Sequence, residues 1–174
     1  MCYTIAMDKT RSNILLIGMP GSGKSTIGRI LSKRTGMPVV DTDDLLIEKE
    51  HLKLQEIIHG KGLDYFYEAE ARVLSEIMLK GYIISTGGSA IYYTEAMEKL
   101  RECCVVVYLK ASVPRLLRNI RNLDSRGIAL KPGQTFEDLY EERCPLYEKY
   151  ADVTIDTDGQ TPASICREIK AKVL

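Results

Sequence analysis

Neither sign of charge is in excess. In a chain of 174 residues, 24 Lys and Arg face 24 Asp and Glu, so the formal net charge is zero. A domain without a global field lacks the electrostatic footprint that holds nucleic acid or an anionic membrane, and any basic site has to be local. Paired cysteines are lacking as well. The five cysteines, Cys2, Cys103, Cys104, Cys144 and Cys166, are odd in number and contain no C-x-x-C. That argues against a disulfide framework or a zinc site and for reduced thiols. Cys103 and Cys104 lead into Val105-Val106-Val107 and read as small hydrophobes. No apolar run approaches the roughly 18 residues of a membrane span, and Met1 to Asn13 has no apolar core of a secretion signal. The expectation is a cytoplasmic protein with neither membrane nor nucleic acid as partner. Repeats, low-complexity tracts and interdomain linkers are absent, and 174 residues suit one domain, 1–174.

What the chain has is alternation. Short β-branched runs recur at Ile14–Ile17, Pro38–Val40, Tyr82–Thr86, Val105–Leu109 and Val153–Ile155. They are almost continuously apolar, as in strands covered on both faces. Helical patterns lie between them at Ser25–Arg34, Leu45–Ile58, Asp64–Lys80, Thr94–Arg101, Val113–Asn122, Phe136–Lys149 and Pro162–Val173. Such alternation predicts a three-layer α/β/α domain with a central parallel sheet of about five strands. Gly36 reads as a helix C-terminal glycine after Lys33 and Arg34, and Thr161 as the N-cap of a helix whose first residue is Pro162. Two connections, Asp44–Leu63 and Asn122–Thr135, are longer than simple crossovers require, which is usual for functional segments.

The first strand runs into Gly18-Met19-Pro20-Gly21-Ser22-Gly23-Lys24-Ser25-Thr26, a complete G-x-x-x-x-G-K-[ST] between a strand and a helix. Glycines let backbone N–H groups turn inward around phosphates, and the helix N-terminus adds free donors and a favourable dipole. Lys24 reaches the terminal phosphates, and the Ser25 hydroxyl ligates Mg²⁺. This is the local basic site, and it implies a nucleoside triphosphate with Mg²⁺. The second strand ends in Asp41-Thr42-Asp43-Asp44. Strand alternation predicts Asp41 and Asp43 on one side, one near the metal and the other orienting or deprotonating an acceptor hydroxyl. Asp44 reads as the N-cap of the next helix. The third strand runs into Thr86-Gly87-Gly88-Ser89, where consecutive glycines allow either close approach of a ligand or an ordinary turn.

Together these motifs resemble the shikimate kinase family, small P-loop kinases of the nucleoside monophosphate kinase fold. The resemblance runs over nearly the whole chain. It rests on the phosphate loop, Asp41-Thr42-Asp43, Phe66 and Glu70 of the family's F-R-x-x-E, Thr86-Gly87-Gly88, Arg126, Arg143-Cys144-Pro145-Leu146-Tyr147 for R-x-P-L-Y, and Asp156-Thr157 before Pro162. It implies ATP bound by Gly21, Ser22, Gly23, Lys24, Ser25, Thr26, Arg118, Arg126 and Pro162. It also implies Mg²⁺ near Ser25 and Asp41, and a monomeric enzyme. The acceptor would be a small hydroxylated, carboxylate-bearing metabolite held by Asp43, Gly87, Gly88 and Arg143. Lys24, Asp43 and Arg126 would be catalytic, with Asp43 as base and Arg126 on a lid spanning about 122–135. The helical segment from about 44 to 70 would form the acceptor site.

Three departures sit on the acceptor side. Tyr67 replaces the arginine of F-R-x-x-E, Ser89 replaces the third glycine, and Arg126-Gly127-Ile128-Ala129-Leu130 replaces the lid's usual R-P-L-L. Tyr67 offers the acceptor one neutral hydrogen bond, and Ser89 adds a side chain where a close backbone approach is expected. Either a nearby cation such as Lys61 or Arg72 supplies the missing charge, or the acceptor differs from shikimate. A kinase for another small hydroxylated metabolite and a non-catalytic nucleotide-binding module therefore stay open. The compact lid with one firm arginine argues against a nucleoside monophosphate kinase.

Overall fold

A computed structural model describes residues 10–120 and 128–174. Five strands, β1 (Asn13–Ile17), β2 (Val39–Asp41), β3 (Ile83–Ser85), β4 (Cys104–Lys110) and β5 (Val153–Asp156), form one wholly parallel sheet in the order β2-β3-β1-β4-β5. Eight α-helices accompany them among the described residues: α1 (Lys24–Thr35), α2 (Thr42–Glu50), α3 (Leu54–Lys61), α4 (Leu63–Ser75), α5 (Thr94–Cys103), α6 (Val113–Asn119), α7 (Phe136–Tyr150) and α8 (Pro162–Val173). None is long and apolar enough to cross a membrane.

Alternate residues of β1 serve opposite layers. Ile14 and Leu16 pack with Ile27 and Leu31 of α1 and with Ile165 and Ile169 of α8. Leu15 and Ile17 face Leu74 of α4, Met97 and Leu100 of α5, and Leu139 and Tyr147 of α7. Both faces of the sheet are thus covered, which is why the strands read as unbroken apolar runs. A smaller cluster of Leu46, Ile57, Phe66, Ala69, Val73 and Ala129 ties α2, α3 and α4 to the end of the 122–135 connection. The register sets Asp41, Ser85 and Leu16 side by side, so the phosphate loop, the Asp41–Asp43 segment and Thr86–Gly88 emerge from one edge of the sheet. The order crosses from one side of β1 to the other there, the usual place for a ligand crevice.

Gly36 caps α1 with φ +77, and Thr161 caps α8 by accepting from the Ser164 N–H, both as predicted. Other expectations need correction. The helix expected over Leu45–Ile58 is two helices, broken where His51 adopts φ +54 and closes α2. α4 stops at Ser75 rather than Lys80, because Ile77 turns into the core beside Leu74. α6 ends at Asn119 rather than Asn122, because Ile120 turns extended at φ −92 and ψ 95. The strand alternation expected for Asp41 and Asp43 fails. The extended backbone ends at Asp41, which caps α2 by accepting from the Asp43 N–H at 3.1 Å, so Asp41 and not Asp44 is the cap.

Asn13, fully buried at the start of β1, escaped the apolar pattern. Its amide donates to the Leu79 carbonyl at 2.7 Å and the Cys103 carbonyl at 3.2 Å, and its oxygen accepts from the Tyr82 N–H at 2.9 Å. It joins the entries to β1, β3 and β4. Replacing it with leucine leaves three part-buried backbone groups without this partner, so Asn13→Leu should lower stability by roughly 2–4 kcal/mol. Urea unfolding should show a lower midpoint at unchanged slope.

Candidate active site

The phosphate loop turns through Gly18, Gly21 and Gly23, all at positive φ, before α1 begins at Lys24. Gly21 is required twice over: its φ is +84, and a Cβ there would lie 2.8 Å from Ile120 and 2.9 Å from the Leu116 carbonyl. The first N–H groups of α1 have no partner within the helix and open onto a cavity of about 340 Å³. Lys24 is buried, and its Nζ donates to the carbonyls of Gly18 and Met19 at 2.7 and 3.0 Å. Burial pushes its pKa down, against the pull of Asp43 and Asp41. Ser25 Oγ donates to Asp41 Oδ2 at 2.6 Å. A hydroxyl and a carboxylate are hard oxygen donors suited to Mg²⁺, which usually completes its shell with water and the nucleotide's own phosphates.

Asp43 lies on the same cavity wall as Lys24, Glu70, Gly87 and Arg143. Burial first, then the Glu70 and Asp41 carboxylates, raise its pKa. The helical turn that replaces strand geometry after Asp41 gives the two aspartates different tasks, Asp41 at Ser25 and Asp43 at the cavity.

Gly87 and Gly88 are needed for space. A Cβ on Gly87 would stand 2.1 Å from Glu70 Oε1 and 2.7 Å from Asp43 Oδ1, and one on Gly88 would stand 2.9 Å from Arg143 Nη1. The pair provides close approach of these side chains within a turn, in which the Ala90 N–H donates to the Gly87 carbonyl at 3.5 Å. The Gly87 N–H donates to Thr42 Oγ1, and the Gly88 carbonyl accepts from the Tyr147 hydroxyl. Arg143, on α7, is 1% exposed. Its Nε donates to the Tyr92 hydroxyl at 3.1 Å, its guanidinium sits 5.1 Å from the Tyr92 ring centre, and among the described residues Nη2 has no partner.

Glu70, a motif residue in the sequence, is a buried carboxylate on the cavity wall. It is 2% exposed, and its Oε1 has no hydrogen bond among the described residues. A glutamate on the apolar stripe of Phe66, Ala69, Val73 and Leu74 was the available signal. Ser89 adds a side chain to the cavity wall, as expected, and turns its hydroxyl onto Glu70 Oε2. The expected stand-ins Lys61 and Arg72 do not line the cavity. Lys61 pairs with Glu50 at 2.8 Å and Arg72 lies 3.9 Å from the same carboxylate. Tyr67 packs against Phe66 and Tyr92, with ring centres 5.9 and 6.1 Å away, and is not on the cavity wall. Ser22 is buried under the loop, and Thr26 lines the cavity. Arg118 is exposed on α6, and its charge and that of Arg115 lower the Asp158 pKa, after the hydrogen bond from Ser112; this brings α6 near the loop before Pro162. Arg126 lies outside the described residues.

Comparison with known proteins gives a consistent picture. A family model described as shikimate kinase matches residues 20–174. The chain is 36% identical to shikimate kinase of Sulfurihydrogenibium sp. over 162 residues, covering 92% of this chain and 97% of that one. Among solved structures, shikimate kinase from Acinetobacter baumannii in complex with shikimate superposes with a TM-score of 0.85 at 31% identity, covering 93% of this chain and 92% of that one. Shikimate kinase from Aquifex aeolicus gives 0.77 at 30% identity over 92% and 95%.

Because a methyl group on Gly87 would collide with two carboxylates, Gly87→Ala should cost roughly 100-fold in acceptor-dependent ATP turnover, the usual penalty for displacing reacting groups by about 1 Å. Affinity for a fluorescent ATP analogue, read by titration, should stay within about twofold, because the phosphate loop is untouched.

Proposed function

The chain belongs to the shikimate kinase family, and we propose that it transfers the γ-phosphoryl group of ATP to a hydroxyl of shikimate, a step in aromatic amino acid biosynthesis. The observation that carries the acceptor assignment is Arg143, a buried guanidinium on the cavity wall whose Nη2 has no partner among the described residues. A planar cation with a free N–H edge suits the acceptor's carboxylate.

In this reading Lys24 exchanges its bonds to the Gly18 and Met19 carbonyls for phosphate oxygens, with the loop's N–H groups and Thr26 beside them. Ser25 and Asp41 would hold Mg²⁺, which would neutralise phosphate charge. Asp43 accepts the proton of the acceptor hydroxyl; that oxygen bonds to the γ-phosphorus as the bond to the β-phosphate oxygen breaks, leaving ADP. The raised pKa of Asp43 suits a base that must hold the proton. Gly87 and Gly88 keep the acceptor close to Asp43 and Arg143. Arg126 retains the role of neutralising the transferring group. Arg118 and the loop at Pro162 bracket adenine, supported by the Arg115 bond to the Gln160 carbonyl at 3.1 Å. The enzyme is a cytoplasmic, monomeric single kinase domain.

One observation favours a second acceptor chemistry. With Lys61 and Arg72 engaged at Glu50, and Tyr67 off the wall, the cations beside Arg143 on the described cavity wall are Lys24 and Arg29 of α1, and none comes from α4 where the arginine is missing; a less anionic hydroxylated metabolite is the corresponding alternative. A coupled ADP-release assay over shikimate, quinate, gluconate, homoserine and nucleoside monophosphates separates the two. Turnover should require shikimate and fall by roughly 10²–10⁴ in Asp43→Asn, the range for loss of a general base. Turnover of another compound with none on shikimate overturns the acceptor; ATP binding without any transfer overturns the kinase.

A further inference from the structure

One of the acceptor-side departures, Ser89, bonds a buried carboxylate that lies three residues along α4 from another, Tyr67. Glu70 Oε2 accepts hydrogen bonds from Ser89 Oγ and from the Tyr93 hydroxyl, the latter at 2.9 Å. Residues three apart on a helix are neighbours, so an arginine at position 67 of α4 would stand beside Glu70 and pair with it. Tyr67 instead directs its ring to Phe66 and Tyr92. Lys24 and Arg143 influence Glu70 by charge alone, whereas its hydrogen bonds come from Ser89 and Tyr93. We propose that Ser89 and Tyr93 are positioning residues, which hold Glu70 in the acceptor site in the place left by the arginine that the chain lacks at position 67. The proposal rests on the shikimate kinase reading for its kinetic consequence.

The backbone at Ser89, φ −90 and ψ −5, is one any residue adopts, so the serine is accommodated without strain. Its hydroxyl and that of Tyr93 approach from the segment after β3, opposite α4. With Oε2 held, Oε1 stays against Gly87 beside Asp43, free of protein partners among those described and available to an acceptor hydroxyl. The ionisable groups around it are Tyr67 of its own helix, Asp43 of α2, Lys24 of α1, Tyr93 at the start of α5 and Arg143 of α7. Burial of Glu70 favours its neutral form; the two hydroxyls favour the carboxylate. The substitutions at 67 and 89 thus form one device, in which neutral donors replace a cation and Arg143 is left as the one buried guanidinium among the described residues.

The test is a mutant cycle of wild type, Ser89→Gly, Tyr67→Arg and the double variant, with Tyr93→Phe alongside. In protein labelled with ¹³C-glutamate, the Glu70 carboxyl resonance, assigned with Glu70→Gln, should titrate at higher pH in Ser89→Gly and Tyr93→Phe, because each loses a bond to the ionised form. In the double variant it should return toward the wild-type midpoint. In parallel, KM for shikimate should rise roughly tenfold in Ser89→Gly, a value typical for a lost charge-assisted bond, with kcat little changed, and Tyr67→Arg should recover it. A Glu70 midpoint that ignores both hydroxyls, or effects of positions 67 and 89 that simply add, overturns the proposal. If the resonance follows the cycle while no form turns over shikimate, the acceptor assignment fails and the positioning role stands.

Discussion

A buried arginine without a carboxylate of its own organises this molecule. Arg143 is 1% exposed and leans on Tyr92 through Nε and the face of the ring, yet Nη2 finds no partner among the described residues. Burying an ion without a counter-ion costs several kcal/mol, and the neighbourhood is arranged around that cost. Gly88 gives up its side chain so that Nη1 can approach, Tyr147 fixes the Gly88 carbonyl from the next turn of α7, and Tyr92 passes the interaction on to Glu142 at 2.7 Å. Glu142 in turn accepts from Gln134 and pairs with Lys131, which links the guanidinium to the end of the 122–135 connection. Among the described residues no carboxylate forms an ion pair with Arg143.

Burial disfavours the Arg143 cation, but Tyr147, Tyr92 and Tyr67 raise its pKa overall, and the unsettled charges are those opposite it. Burial lowers the pKa of Lys24 and raises those of Asp43 and Glu70. A triphosphate at the loop and an anionic, hydroxylated acceptor at the glycine pair would relieve these strains together, the lysine by phosphate and the arginine by carboxylate. A polarised cavity of this kind fits a chain with no net charge, because 24 groups of each sign cancel over the whole while a few of them converge at one edge of the sheet.

The strands were legible because both faces of the sheet are covered, so every residue of Cys104–Leu109 is buried and the apolar run has no gaps. The phosphate loop was legible because its constraints are local, a turn that only glycine makes and a helix start one residue later. What stayed hidden depends on contacts distant in sequence or on backbone angles without a residue signature. His51 at φ +54 breaks a helix with no glycine or proline to announce it. Asp41 became a cap because the chain turned one residue earlier than alternation assumed. Tyr93 was not singled out at all, since its bond to Glu70 spans 23 residues and follows no period. Lys61 and Arg72 seemed close enough to help, but their reach is spent on Glu50.

The central claim is that the unpaired guanidinium of Arg143 receives the acceptor's carboxylate. Isothermal calorimetry of shikimate binding to the wild type and to Arg143→Met, each with an ATP titration as control, tests it most directly. Loss of at least about 100-fold in shikimate affinity with ATP affinity preserved is the expected result, the scale of losing a buried charge-assisted pair. Equal shikimate affinity in the two proteins would contradict the account.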